Sequence, residues 1–153
     1  MATSTFTGPL RAGNIINTSG TTLGTDIANV GFVGMVQSAA ITQSGGVLST
    51  TPIVIPANSQ ILAITIWTTA VWATTTTLGV GTTASATAFT TAGAVTGLGT
   101  LGQFNVSPGT ALTQISNWID VGATDVQLAI STSTGTGTGW ISVQYVQANN
   151  LTP

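Results

Sequence analysis

This chain of 153 residues has no cysteine, no histidine and no lysine. Without cysteine, the chain can form neither disulfides nor thiolate metal sites. Without histidine, it lacks the usual general base near neutral pH and the commonest metal ligand. Without lysine, Schiff-base chemistry is impossible. We therefore expect no enzyme activity, no catalytic residues, no metal and no cofactor.

Charge is the next scarce property. Charged residues make up 3% of the chain, against about 25% in an ordinary soluble domain. Arg11 is the only cation, and one arginine cannot supply the basic patch that nucleic acid or anionic lipid requires. We therefore predict neither a nucleic-acid nor a membrane partner. A free monomer with so little charge would have weak colloidal protection, which favours a chain that lives in an assembly.

Long apolar runs are also missing, although the mean hydropathy is +0.49. No window of about 20 residues is continuously apolar, as a membrane-spanning helix requires. Pro52 and Pro56 lie in the most hydrophobic stretch. The N-terminal sequence MATSTFTGPL lacks the basic and apolar regions of a secretory signal. We expect a soluble chain that is made in the cytoplasm and is not secreted.

The composition changes after the first 27 residues. Met1 to Gly24 is small, polar and rich in Thr and Gly, which is typical of segments that become ordered along a partner. The remainder is long enough for one domain. We predict an extended N-terminal arm over residues 1–27 and one folded domain over residues 28–153. Arg11 in the arm either serves solubility or a local pairing, or anchors the arm in a neighbouring subunit.

Ile53 to Thr82 is the stretch richest in strand signals. Pro56 cannot donate to a strand ladder and therefore ends a strand. The next strand, Gln60 to Thr69, alternates its side chains between two faces. One face carries Leu62, Ile64 and Ile66, and the other carries Ile61, Ala63, Thr65, Trp67 and Thr69. Both faces are apolar, which predicts burial in a core on one side and against a neighbour on the other.

About eight short strands are predicted in total. Beside Gln60 to Thr69 they are Asn14–Asn17, Val30–Thr42, Ile53–Ile55, Leu78–Gly81, Ala84–Thr91, Val126–Ser131 and Trp140–Gln147. Ser131 to Gly139 reads as a hairpin loop, and Ala111 to Val121 fits either a helical turn or a strand. Such spacing indicates a sandwich. The predicted fold class is all-β, an antiparallel β-sandwich with a jelly roll as the favoured topology.

Asp120 and Asp125 are the acids that could serve as a catalytic pair, as in glycoside hydrolysis. Asp125 stands in a turn immediately before a strand, where aspartate side chains bond backbone amides. We favour this structural role, because the glycosidase interpretation requires both carboxylates to face one cleft.

The four tryptophans fit either core and interface packing or a platform for stacking sugars. Trp67 and Trp140 lie inside predicted strands, which favours packing. Trp72 follows a strand among small residues. It is the best candidate for an exposed aromatic at an interface or a glycan site.

The segment Phe6-Thr7-Gly8-Pro9-Leu10-Arg11-Ala12-Gly13 and the following TSGTTLGTDIANVGF resemble the start of small jelly-roll virion proteins of tailed bacteriophages. Three later stretches are similar to an internal strand, a Gly-Thr segment and the closing hairpin of this capsid decoration or cement family: IVIPANSQILAITIWTTAVW, LGVGTTASATAF and DVQLAISTSTGTGTGWISVQYV. The likeness covers most of the chain. The near absence of charge departs from the family.

This resemblance implies a jelly-roll protein on the capsid exterior, usually a trimer. We therefore expect a structural virion protein that binds the outer surface of a phage head and clamps neighbouring capsomers. The implied partners are the major capsid protein and further copies of this chain. Phe6, Pro9, Leu10 and Arg11 are the candidate capsid-binding residues of the arm. The alternative is a tail-fibre or lectin-like module that holds glycans through Trp72.

Overall fold

The computed structural model describes residues 32–43, 45, 47–73, 78–90 and 98–148. These residues form seven strands and one helix: β1 (Phe32–Thr42), β2 (Ser49–Ile55), β3 (Ser59–Ala70), β4 (Leu78–Thr82), β5 (Gly102–Val106), α1 (Leu112–Ile119), β6 (Val126–Thr132) and β7 (Thr138–Ala148). Residues 33–147 make up one compact unit. The predicted arm (residues 1–27) and the short strand at Asn14–Asn17 lie outside the described residues, so both stay predictions.

The strands form two sheets, a four-stranded sheet in the order β1-β7-β3-β5 and a three-stranded sheet in the order β2-β6-β4. β3 pairs antiparallel with β5 and β7, and β6 pairs antiparallel with β2 and β4. Each connection along the chain passes from one sheet to the other. The all-β sandwich is thereby confirmed. The jelly roll stays a prediction, because that topology has about eight strands and the described residues form seven.

The core lies between the two sheets and consists mainly of β-branched and aliphatic side chains. In β3 and β7, Ile64 pairs with Val143 and Ile66 pairs with Ile141, and all four side chains are buried. They meet inward-facing residues of the three-stranded sheet, among them Ile53, Ile55, Val80, Leu128 and Ile130. Alternation in β6 and β7 follows a period of two, since every second residue faces this core. In β1 the same holds for Ala39 and Ile41, whereas Met35 is exposed.

β3 departs from the predicted alternation at Leu62. The pairing with β7 shifts register between Ile61 and Ala63, which is a β-bulge. Because the bulge adds one residue, Ile61 and Ile64 both face the core, whereas Leu62 is exposed. The prediction that Leu62 shares a face with Ile64 and Ile66 is therefore wrong. The prediction for Trp67 and Thr69 holds, because both lie on the face opposite Ile66.

The strand predicted at Ala84 to Thr91 is wrong over the residues described, because residues 83–90 form turns and bends. Their carbonyl groups are bonded by α1 instead of by another strand. Three side chains on one side of the helix donate to three successive carbonyl oxygens: Gln114 to Thr87 (3.2 Å), Asn117 to Ala88 (2.8 Å) and Trp118 to Phe89 (2.7 Å). The helical alternative for Ala111 to Val121 is thus correct, and it replaces sheet pairing for this segment.

Two features of the β5–β7 region differ from expectation. β5, with the sequence GQFNV, is a strand that no pattern predicted. β6 and β7 belong to different sheets, so the loop that joins them is a crossover and not the predicted hairpin. Glycines in this loop and at the start of β7 allow the backbone to pass close to two tryptophan residues. A Cβ at Gly137 would overlap the indole of Trp72, and a Cβ at Gly139 would overlap the carbonyl oxygen of Trp67.

The side chain of one glutamine forms hydrogen bonds between the edge strands of the two sheets, β1 and β2. Gln37 on β1 donates through Nε2 to the carbonyl oxygen of Val54 on β2 and to the hydroxyl of Tyr145 on β7, each at 2.7 Å. Its Oε1 accepts from the backbone N–H of Val54 at 3.3 Å. The side chain thereby acts like a short piece of strand between β1 and β2.

Replacing Gln37 with methionine is expected to lower the free energy of unfolding by about 2 kcal/mol, because each lost hydrogen bond contributes roughly 1 kcal/mol and water reaches this edge. Equilibrium urea unfolding would measure the change. Gln60→Met is the matched control, since Gln60 is an exposed glutamine on β3, and it should change stability by less than about 0.5 kcal/mol. Equal losses of stability in both variants would contradict a stabilising role for the hydrogen bonds of the Gln37 side chain.

Candidate interaction surface

The outer side of the four-stranded sheet carries a pair of exposed tryptophans. Trp67 on β3 and Trp140 on β7 are directly opposite each other in the antiparallel register. Trp67 is 48% exposed and Trp140 is 50% exposed. Directly opposite residues on one face of a sheet have Cβ atoms about 5 Å apart, so the two indoles are neighbours on the same face.

The residues around this pair are neutral and polar. Gln103 on β5 is opposite Trp67, and Asn105 and Ser142 flank Thr65 in the neighbouring row. Two hydroxyl pairs connect neighbouring strands on this side: Ser38 with Ser142 (2.6 Å) and Thr69 with Thr138 (2.9 Å). We call the outer surface formed by Leu62, Thr65, Trp67, Gln103, Asn105, Trp140, Ser142 and Gln144 the Trp face.

Exposed aliphatic residues extend the apolar area past the sheet. Thr68 pairs with Gly102, so the chain leaves β3 and enters β5 at the same end of the sheet as Trp67. Val71 follows β3 and Leu101 precedes β5, and both side chains are more than half exposed. Contiguous apolar area rimmed by polar residues marks an interaction site on soluble proteins.

The charged residues of the described domain, Asp120 and Asp125, lie at the other end of β3. The Asp125 carboxylate accepts from the backbone N–H of Ala57 at 2.9 Å, and the Val121 N–H donates to the carbonyl oxygen of Ser59 at 3.0 Å. Ser59 begins β3, and Trp67 is eight residues further on, about 26 Å along the strand. The Trp67–Trp140 pair therefore lies about three Debye lengths from the end of β3 where both acids are bonded.

Trp72, the predicted exposed aromatic, is buried in the core and is 1% exposed. Its indole N–H donates to the carbonyl oxygen of Thr138 at 3.2 Å, and Gly137 packs against its ring. Burial of this kind leaves no face free for a sugar ring or a partner, so the prediction that Trp72 is exposed is wrong. The arm residues Phe6, Pro9, Leu10 and Arg11 lie outside the described residues.

The carboxylates of both acids accept hydrogen bonds from backbone N–H groups. Asp125 caps the turn before β3, as described, and the Asp120 carboxylate accepts from the N–H of Gly122 at 2.9 Å. Among the residues that the structure describes, no three acidic, histidine or cysteine side chains are grouped to hold a metal ion. Within the same residues, no helix is long and apolar enough to cross a membrane.

The sequence contained part of the signal for the Trp face. In β7, the apolar residues Ile141, Val143 and Tyr145 occupy every second position, and that alternation puts Trp140 on the other side. The same argument puts Trp67 opposite Ile66. The register between β3 and β7, which brings the two indoles together, has no signal in either strand alone.

Comparison with known proteins finds likeness in structure. No protein-family model matches the sequence, and no characterised protein matches it by sequence. The fold is similar to a chain in the cyanophage Pam1 capsid asymmetric unit, with a TM-score of 0.53 and 20% identity over 86% of this chain and 96% of that one. It is also similar to a chain in the acid-stable capsid of the Helicobacter pylori bacteriophage KHP30, with a TM-score of 0.50 and 11% identity over 74% and 87%. At these identities the likeness establishes the fold.

Proposed function

We propose that this protein is a structural component of a bacteriophage virion, a decoration or cement protein that binds the outer surface of the head and stabilises contacts between capsomers. The observation that carries the proposal is the fold likeness to chains of two phage capsid structures, which extends over 96% and 87% of those chains. The likeness therefore concerns nearly the whole of each neighbour and not a small part of a larger protein.

The proposed mechanism uses contact area and no chemistry, so the protein is not an enzyme in this proposal. The sandwich would form a homo-oligomer, with a trimer favoured, and the N-terminal arm would lie across subunits of the major capsid protein. Interfaces of standard size bury about 1,600 Å², and many symmetric copies convert weak contacts into avidity. The chain would be made in the host cytoplasm and reach the exterior of the head by assembly.

Two structural observations support a protein partner over a glycan. The glycan-binding alternative depended on Trp72, which is buried. A sugar site would have to use Trp67 and Trp140 instead, yet exposed Leu62 and Leu101 accompany them. Aliphatic side chains suit a protein interface, whereas a sugar site needs precisely placed polar groups to fix the bound sugar.

Cryo-electron microscopy of purified virions tests the location directly. We expect density for this chain at icosahedral positions on the outside of the head, in trimeric knobs or a lattice. Density at the tail tip alone would overturn the cement function and favour an adhesin.

Removing the arm is expected to lower occupancy on the heads at least about tenfold, because each lost contact weakens a multivalent attachment. Arg11 is the only lysine or arginine in the chain, so trypsin has a single cleavage site, and one cut releases all four candidate arm residues. We expect free protein to be cut and head-bound protein to resist.

Quantitative gel analysis of sedimented heads would measure binding of cut protein, with protein treated with inactivated trypsin as control. A variant that lacks residues 1–13 should behave like the cut protein. Unchanged occupancy in both would remove the arm from the mechanism.

A further inference from the structure

The Trp face has the apolar area of one side of a protein interface. A tryptophan carries up to about 250 Å² of surface, so the two half-exposed indoles contribute roughly 250 Å². Leu62 belongs to the same face, and Val71 and Leu101 flank it at the ends of β3 and β5; all three are more than half exposed. Together these five side chains expose an apolar area on the order of 500 Å². A standard interface buries about 800 Å² on each partner, of which about 65% is apolar at its core. The area is thus sufficient for a specific contact.

The polar residues of the Trp face are suited to contact with their own kind. Gln103, Asn105 and Gln144 lie on β5 and β7 and are exposed. A side-chain amide carries both a donor and an acceptor, so the same amide on two copies can form a hydrogen bond. Two lysines or two aspartates in these positions would repel each other. A self-complementary surface is what a two-fold contact between identical chains requires, whereas a ring of three joins two different surfaces, so the Trp face favours pairing of two copies.

The absence of charge favours the same partner. The acids of the described domain lie about 26 Å from Trp67 along β3. A partner with ionic groups at the contact would therefore bury those groups without counterions. The described domain of a second copy brings no charge to the contact, since its two acids lie at the far end of β3. Like-charge repulsion and ion desolvation are both avoided.

We propose that copies of this chain associate through the Trp face, with the Trp67–Trp140 pair at the centre of the contact. This inference rests on the homo-oligomeric part of the proposed function and names its surface. The indoles pack against the partner's sheet, and the amides of the rim bond across the interface. Because no ion pair contributes, association is expected to be insensitive to salt between about 0.05 and 1 M.

Sedimentation equilibrium of the full chain tests this inference. We expect the wild type to be oligomeric and the double variant Trp67→Thr/Trp140→Thr to be monomeric between about 1 and 100 µM. Threonine keeps a high β-propensity, and both indoles point away from the core, so circular dichroism should show a folded variant. Val54→Thr is the control, because Val54 is exposed on the other sheet, and it should stay oligomeric.

A second variant keeps the shape of the face and adds one charge. Gln103→Glu is expected to weaken association at pH 7 at least about tenfold, because a carboxylate would be buried without a partner. Association should return at about pH 3, where a glutamic acid is protonated, with wild type measured at both pH values for reference.

Three results would overturn the inference: a wild type that is monomeric at about 100 µM, a double variant of unchanged mass, or a Gln103→Glu variant that associates as tightly as wild type. A neutral oligosaccharide that shifts the tryptophan fluorescence of a monomeric wild type would assign the Trp face to glycans instead. Head binding is scored separately. A monomer that binds heads refutes this interface alone, and an oligomer that does not bind heads refutes the cement function alone.

Discussion

Replacing Trp72 with alanine is expected to lower the free energy of unfolding by about 3–5 kcal/mol, the range for deleting a large buried aromatic side chain. Trp72 is among the largest fully buried side chains. Its indole packs against Gly137, whose missing side chain leaves room for the ring. The variant leaves a cavity there and loses the hydrogen bond to Thr138, and the crossover backbone cannot fill that space without moving.

Thermal and urea unfolding would measure the Trp72→Ala loss, and two further variants separate its causes. Trp72→Phe keeps an aromatic ring but loses the N–H donor and part of the ring volume, so a smaller loss of about 1–2 kcal/mol is expected. Trp140→Ala is the matched control at an exposed site, measured at protein concentrations too low for association, with a loss of about 1 kcal/mol or less. Equal losses for Trp72→Ala and Trp140→Ala would contradict the burial of Trp72.

Replacing Gly81 with alanine is expected to cost about 3 kcal/mol, at the upper end for an inserted methyl group in a packed interior. The outer side of β4 is covered by the chain that follows it. A Cβ at Gly81 would overlap the carbonyl oxygen of Ser85 and lie 2.6 Å from the carbonyl carbon of Ala86 and 2.7 Å from the nitrogen of Ala88. These are backbone atoms, which cannot rotate away as a side chain can.

Hydrogen exchange would show which backbone hydrogen bonds the Gly81→Ala variant loses. We expect faster exchange at the Phe89 N–H, which donates to the Val80 carbonyl at 2.9 Å, because residues 85–88 must lift from β4. Gly34→Ala is the control. A Cβ at Gly34 meets nothing within 4 Å, so this strand glycine should tolerate alanine or gain up to about 1 kcal/mol. A stable Gly81→Ala variant with unchanged exchange would contradict the close contact.

The class of the fold could be predicted because the alternation of side chains between two faces, with a period of two, is visible within each strand by itself. Ile141, Val143 and Tyr145 in β7, or Leu128 and Ile130 in β6, report their own inward direction. The same local rule fails at Leu62, because a bulge depends on the partner strand and not on the strand that carries it. It also fails over residues 83–90, where a β-like sequence is bonded by helix side chains that lie more than twenty residues later in the chain.

The candidate site could be predicted only in part for a similar reason. Small neighbours made Trp72 look exposed, yet its environment comes from Gly137, 65 residues away. The alternating glycines at 135, 137 and 139 were the available signal, since glycines inside a strand-like stretch often mark close approach of another group. Trp67 and Trp140 had a correct direction in the sequence, but their pairing depends on the register of two strands that are distant in the chain.

The position of β7 has a consequence for biosynthesis. β7 is the last strand of the described chain, yet it lies inside the four-stranded sheet, between β1 and β3. On the ribosome, β1 and β3 therefore cannot be joined in one sheet until β7 has been synthesised and has emerged. Folds dominated by such non-local pairing form slowly. The Trp67–Trp140 pair forms at that step, so a growing chain that lacks β7 cannot present the complete surface or enter an assembly through it.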